Sequence, residues 1–169
     1  MRLLSADIDT LHKLYIRQLE VMLSAEQQIV EALPTMIEKA TDTQLKQAFR
    51  SHLQETVDHV TRLEDILEEE TDETKTVKAK VLSALILEAE DLVKDASEDV
   101  VRDVALIAAA QRVEHYEIAA YGALRTWAQI LGKPTQAAVL DRTIKEEGHA
   151  DHLVTTIAER VNPAAERAA

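Results

Sequence analysis

Apolar residues recur at helical spacing in five segments of the chain. The first segment shows the pattern most clearly, since its apolar positions are three, four, seven or eight residues apart and share one face of a helix. These positions are Ile8, Tyr15, Leu19, Met22, Val30, Leu33 and Ile37. The same pattern predicts helices over about 7–39, 44–69, 76–94, 99–131 and 134–161.

The expected helix ends follow from capping and helix-breaking residues. Gly132 is placed to stop the fourth helix, and Pro134 suits the first turn of the next one. Pro163 is expected to end the last helix near residue 161. Pro34 falls inside the first helix and is expected to bend it or to interrupt its hydrogen bonds.

The connections between these helices predict how they pack. Short turns join the first long helix to the second and the last two to each other, so each pair is expected to be antiparallel. The connection over about 70–98 is long and contains a short helix of its own. A long crossover between helices two and three is typical of a ferritin-like four-helix bundle. We therefore expect an all-α fold of this kind, as one domain over residues 1–169.

Acidic residues interrupt the apolar faces of the four long helices. Glu26 lies at the centre of the first face, where an unpaired carboxylate is costly to bury. Several acids in one layer repel one another unless they are protonated or bound to cations. The side chains that we expect to meet in the core as metal ligands are Glu26, Glu55, His59, Glu114, Glu147 and Asp151.

An internal near-repeat supports a site for two metal ions. Glu55 follows Glu26 by 29 residues, and Glu147 follows Glu114 by 33. A second possible ligand comes four residues after each later acid, as His59 and Asp151. Each helical hairpin thus supplies a similar set of ligands. Carboxylates with some imidazole suit iron or manganese, so two metal ions, iron first and manganese second, are the expected cofactors.

The ligand set has alternatives. Ferritin-like sites usually pair Glu with His three residues later, whereas these pairs are four apart, so Asp58 and His149 are substitutes if a spacing of three applies. His52 is expected to be a core or supporting histidine, and Glu117 to project away from Glu114.

A purely structural interpretation would have arginines neutralise the core acids. Arg62 and Arg125 are the available candidates, because each lies on a helix that carries one of the expected ligands. Few other basic residues lie on these faces, so the sequence favours metal.

Charge and composition exclude several classes of function. The formal net charge of −12 disfavours binding to nucleic acid or to an anionic membrane surface. The chain has no cysteine, so disulfides, thiolate zinc sites and iron–sulfur clusters are excluded. With no recognisable signal peptide, the expected location is the cytoplasm.

Three segments carry a family resemblance. Residues 24–28, 52–56 and 108–122 have the sequences SAEQQ, HLQET and AAAQRVEHYEIAAYG. They resemble the YciF-like family of bacterial ferritin-like proteins, over about residues 11–158. The resemblance implies a bundle that is often dimeric, a dimetal site and a link to stress responses. It places the family's acids on Glu26, Glu55, Glu114, Glu147 and Asp151, whereas relatives often have Gln at the position of His59 and Lys-Ala at Gly148-His149.

Two functions are compatible with these features. The first is a di-iron or di-manganese protein that reacts with dioxygen or peroxide and needs an external electron donor for turnover. The second is a non-catalytic stress or structural protein with a vestigial or structural metal. In either case we expect a homodimer, whose interface could use the crossover helix through Leu82, Leu85, Ile86 and Leu92.

Overall fold

Residues 8–167 of the 169-residue chain are described by a computed structural model, and this part of the chain contains five helices and no strand. The helices are α1 (Leu11–Lys39), α2 (Thr43–Thr71), α3 (Lys80–Asp95), α4 (Asp99–Ile130) and α5 (Pro134–Arg167). The all-α prediction is confirmed. The predicted first residue of the first helix, Asp7, lies outside the described residues, and α1 begins after Thr10, whose hydroxyl accepts a hydrogen bond from the Lys13 amide.

Capping residues fix two of the helix ends where the sequence placed them. Asp42 caps α2 by accepting hydrogen bonds from the Gln44 and Leu45 amides, both at 3.0 Å. Gly132 adopts a φ of 72° directly after α4, a left-handed conformation that an L-residue rarely takes.

The prediction that the last helix ends near residue 161 is wrong, because α5 continues through Pro163 to Arg167. Pro163 lacks a backbone N–H, so the helix loses the single hydrogen bond that this N–H would donate to the carbonyl of Glu159. Glu159 is an exposed residue. Pro34 likewise lies within an uninterrupted α1.

The four long helices form a bundle in which α1 neighbours α2 and α4, and α5 neighbours α2 and α4. The crossover helix α3 packs against α4 and, less extensively, against α1. This arrangement confirms the predicted bundle with an extra helix between the second and third long helices. No helix in the described range 8–167 has the length and apolar character needed to cross a membrane.

The crossover helix contributes to the core rather than only to the surface. Leu82 is fully buried, and Leu85 and Ile86 are partly buried against the core. The apolar residues that α3 leaves at the surface are instead Val81, Leu87 and Leu92, which are 58%, 59% and 38% exposed.

Candidate metal centre

Six ionisable side chains from the four long helices meet in the middle of the bundle. All six are more than nine-tenths buried: Glu26 of α1, His52 and His59 of α2, Glu114 and Glu117 of α4, and Glu147 of α5. Burial on this scale is rare for carboxylates unless they are paired or bind a cation.

Helical spacing explains why pairs of these residues converge. His52 and His59 are seven residues apart, which is close to two full turns of α2. Glu114 and Glu117 are three apart, and residues at that spacing are neighbours on one helix face. Each pair therefore faces inward as a unit.

The six side chains form two overlapping groups that share Glu147. His52, Glu114, Glu117 and Glu147 each offer a ligand atom within 4.8 Å of the others, and so do Glu26, His59 and Glu147. Each group could therefore hold one cation, and Glu147 would contribute to both.

Individual distances show how closely the groups approach. His52 Nε2 lies 3.3 Å from Glu114 Oε1. His59 Nδ1 lies 2.9 Å from Glu147 Oε1 and 3.5 Å from Glu26 Oε1. The ligand atoms therefore already face one another across the bundle axis.

Most of these atoms nevertheless lack a hydrogen-bond partner with acceptable geometry. Within residues 8–167, eleven buried side-chain nitrogen or oxygen atoms are unpaired, and nine of them belong to the six residues of the cluster. They include both nitrogens of His52 and both oxygens of Glu117 and of Glu147. Because an unpaired buried polar atom is costly, this concentration fits a set of ligands that bind metal.

The pKa values reflect the same crowding. Burial, with the nearby Glu147 and Glu26 carboxylates, raises the pKa of Glu114 well above its ordinary value. Burial and Glu26 do the same for Glu117. For His59, burial acts to lower the pKa, but the Glu147 and Glu26 carboxylates outweigh it and raise the pKa to about 10. The pocket thus has a strong affinity for positive charge, either protons or metal ions.

Residues around the cluster orient its ligands. The hydroxyl of Tyr121 is buried and donates a hydrogen bond to Glu26 Oε1. His59 Nε2 lies 3.0 Å from Glu146 Oε2, and Glu146 is in turn held by Arg62 and Arg142. When Nε2 donates to Glu146, the lone pair of His59 Nδ1 faces Glu26 and Glu147, which is the tautomer that a metal requires.

Four of the six predicted ligands lie in the cluster, namely Glu26, His59, Glu114 and Glu147. Glu55 and Asp151 lie outside both groups. The Glu55 side chain is 35% exposed, and its Oε2 is 4.0 Å from His52 Nδ1.

The remaining candidates are also peripheral. Asp151 is 23% exposed and lies 3.3 Å from His115 Nε2. The two substitutes, Asp58 and His149, are exposed and belong to neither group.

Two members of the cluster were not among the predicted ligands. Glu117 was expected to project away from Glu114, which is wrong, because it is fully buried in the same group. Its three-residue spacing from Glu114 was the available signal. His52 was expected to support the site, and its spacing of two turns from His59 indicated that both imidazoles face the same way.

The arginines that could have neutralised the core acids pair elsewhere. Arg62 contacts Glu146, and Arg125 donates to Asp141 at 2.9 Å. Within residues 8–167, no lysine or arginine forms an ion pair with Glu26, Glu114, Glu117 or Glu147. The interpretation in which the acids are satisfied by guanidinium groups is therefore disfavoured.

Comparisons with known proteins agree with this architecture. Residues 10–166 match the family described as a domain of unknown function, DUF892. The chain is 38% identical to protein YciF of Escherichia coli over 165 residues, which cover 96% of this chain and 99% of that protein.

Solved structures show the same likeness. The crystal structure of the E. coli stress protein YciF matches with a TM-score of 0.88 and 37% identity, covering 92% of this chain and 99% of that one. A Rhodopseudomonas palustris protein, YcfI, described as a candidate structural protein, matches with a TM-score of 0.88 and 38% identity over 91% of this chain and 98% of that one. The chain therefore belongs to the DUF892 family and is a YciF-like helical-bundle protein.

Proposed function

We propose that this protein binds two metal ions, iron in preference to manganese, and reacts with peroxide or dioxygen in protection against stress. The observation that carries the proposal is the sharing of Glu147 between two buried ligand groups most of whose polar atoms are unpaired. The description of the E. coli relative as a stress protein supports the biological context.

The ligand set matches two divalent ions in number and charge. Glu26 and His59 would hold one ion, and His52, Glu114 and Glu117 the other, with Glu147 between them. The four carboxylates carry four negative charges, which balance two divalent cations. Oxygen ligands with imidazole, and no thiolate, favour iron or manganese over copper(I) or structural zinc.

Two bound iron(II) ions would supply the two electrons that, with two protons, reduce one molecule of hydrogen peroxide to two molecules of water. The protein's own residues hold the ligands and exclude bulk water. Tyr121 fixes one oxygen of Glu26, and Glu146 fixes the tautomer of His59. Repeated turnover would need an external electron donor.

Metal analysis tests the proposal directly. We expect anaerobic titration of protein purified without chelator to give two ferrous ions per chain, followed by loss of one peroxide per pair of ions. Glu147→Ala should abolish binding of both ions, because it removes the shared ligand. Glu159→Ala is the matched control, since Glu159 is exposed on the same helix. Fewer than one ion per chain after loading would contradict the proposal.

A second candidate is a non-catalytic structural homodimer, which two observations support. The R. palustris relative is described as a candidate structural protein, and α3 leaves Val81, Leu87 and Leu92 at the surface. Under this candidate, replacing Glu26 and Glu114 with alanine would leave cellular function intact. If the protein sediments as a monomer at micromolar concentration, the homodimer candidate is wrong.

A further inference from the structure

A small cavity lies between the surface and the metal centre, beside α2, α4 and α5. Its volume is about 60 Å³, enough for a few water-sized molecules. Its wall is largely apolar, and its ionisable lining residues are His52, Glu55, Glu114 and His149.

The inner end of this cavity reaches the centre itself. The exposed fraction of His52 is only 6%, and neither of its ring nitrogens has a hydrogen-bond partner among the described residues. Glu114 is 3% exposed, and its Oε2 is also unpaired. A ligand that enters the cavity would therefore meet unpaired donor atoms of the centre.

The outer end carries Glu55 and His149. Both also line a second, open depression of the surface, whose other charged residues are Asp141, Arg142, Lys145 and Glu146. Glu55 and His149 thus lie where the depression and the cavity meet.

Charge pairing leaves Glu55 free to attract a cation at this position. Arg142 pairs with Glu146 at 2.9 Å, and Lys145 pairs with Asp141 at 2.7 Å. In the described part of the chain, the only basic group within 4.0 Å of the Glu55 carboxylate is His52. The partial burial of Glu55 places its carboxylate between solvent and the metal centre.

A second approach from the same depression, over His59, is unsuitable for a cation. Glu146 covers His59 Nε2, and the guanidinium group of Arg62 lies against that carboxylate. Because Arg142 also pairs with Glu146, one carboxylate holds two guanidinium groups, and the surplus positive charge over His59 repels an incoming divalent ion.

We propose that the cavity is the entrance to the metal centre, and that Glu55 and His149 are transfer ligands that pass each divalent cation to His52 and Glu114. This inference rests on the proposed binding of two metal ions. It gives Glu55 a role in the rate of loading rather than in the final coordination. The narrow apolar wall limits the traffic to single ions and molecules of the size of water or peroxide.

The rate of metal uptake tests the entrance. Co²⁺ is mixed anaerobically with the metal-free full chain, and uptake is followed by the visible absorption of the bound ion. We expect the double variant Glu55→Gln, His149→Ala to load about tenfold more slowly, the lower end of the effect of local charge on association rates. The final stoichiometry should remain two ions per chain.

Two further variants keep this test specific. Leu153→Trp should also slow loading, because Leu153 lines the cavity at a partly exposed position and a larger ring would narrow it. Glu159→Gln, on the same helix but away from the cavity, should load at the rate of the unchanged protein. Circular dichroism verifies that each variant is folded.

The outcomes separate the two proposals. If the unchanged protein binds two ions and the double variant loads at the same rate, the proposal that the cavity is the entrance is wrong, whereas the proposed function stands. If the double variant binds fewer than two ions, Glu55 or His149 is a permanent ligand, and the transfer role is wrong. If the unchanged protein binds no metal, both proposals fail.

Discussion

Buried acids occur in two very different settings in this protein. Asp103 is 2% exposed, and its carboxylate accepts hydrogen bonds from the Thr41 amide, the Thr41 hydroxyl and the Asp42 amide at 2.6–2.8 Å. It fastens the turn between α1 and α2 to α4.

The side chain of Glu70 is equally well satisfied, although only 4% of it is exposed. It accepts hydrogen bonds from Lys133 and Gln136, both at 2.6 Å, and its other oxygen lies 2.8 Å from His12 Nε2.

The central cluster lacks such partners. Within residues 8–167, Glu117 has no hydrogen bond to either oxygen, and Glu147 has two unpaired oxygens close to other acids. The bundle therefore supplies hydrogen-bond donors to the acids that support the fold, whereas most carboxylate oxygens of the cluster have no donor. That contrast supports the proposed binding of cations by the cluster, since the protein pairs its other buried acids.

Metal binding should produce the largest effect on stability, and only through the cluster. A ligand at a free concentration one hundred times its Kd stabilises the folded state by about 2.7 kcal/mol for a single site. For a chain of this size, that corresponds to a rise in Tm of about 5–10 °C, and two occupied sites should give more. Thermal unfolding with and without Fe²⁺ or Mn²⁺, under anaerobic conditions, measures it. Equal shifts in the unchanged protein and in Glu147→Ala would mean that the ions act elsewhere.

Changing acids to amides should affect the stability of the metal-free protein much more for the paired acid than for the unpaired one. Asp103→Asn replaces an acceptor with a donor opposite the Thr41 and Asp42 amides, and we expect a loss of about 2–3 kcal/mol in unfolding free energy. Glu117→Gln removes a carboxyl group that has no donor, so at about pH 5 the metal-free protein should change by less than about 1 kcal/mol. Urea unfolding in the presence of a chelator measures both.

The same two variants also separate stability from binding. Glu117→Gln should weaken metal binding, whereas Asp103→Asn, once folded, should still bind two ions. Comparable destabilisation by both substitutions would break the distinction between paired and unpaired acids.

The contributions of Glu117 and Glu70 to stability should also depend on pH with opposite signs. Burial and Glu26 raise the pKa of Glu117 above its ordinary 4.5, so in the metal-free protein its contribution is present below that value and is lost as pH rises. Burial alone would raise the pKa of Glu70, but Lys133, His12 and Gln136 outweigh it and lower the pKa, so its contribution is lost as pH falls.

Matched amide variants isolate each contribution. From about pH 5 to about pH 8, the stability of the metal-free protein relative to Glu117→Gln should fall. Its stability relative to Glu70→Gln should decrease on acidification below about pH 4.5. Unfolding midpoints measured over this range test both slopes, and slopes of the same sign would contradict the assignment.

Much of the fold could be predicted because its signals are local. Apolar spacing identified all five helices, and the left-handed Gly132 marked the end of α4. The end of α5 was missed because Pro163 is an ambiguous signal: near a helix terminus it removes one hydrogen bond without stopping the chain.

The candidate site was predictable only in part, because burial depends on the rotation of each helix within the bundle. Glu26 and Glu147 lie at the centre of apolar faces and were identified. Glu55 lies at the edge of its face, where a small rotation decides between core and surface, and the structure leaves it partly exposed. The partners of Asp103 come from a turn 61–62 residues away in the sequence, a distance at which spacing gives no signal.

The smallest predicted effect is a change in stability at Gly148 that should leave metal binding unchanged. Gly148 lies inside α5 directly after Glu147, and a methyl group added there would meet no atom within 4 Å. Gly148→Ala should therefore stabilise both the metal-free and the metal-loaded protein by about 0.5–1 kcal/mol, because alanine loses less backbone entropy in a helix. Gly132→Ala is the opposing control, since the φ of 72° should make it destabilising despite equally open surroundings. Chemical unfolding together with metal titration measures both properties, and we expect two ions per chain in either variant. A gain confined to the metal-loaded form would show that rigidity at Gly148 acts through Glu147, and the cluster could then no longer be treated as independent of its helix.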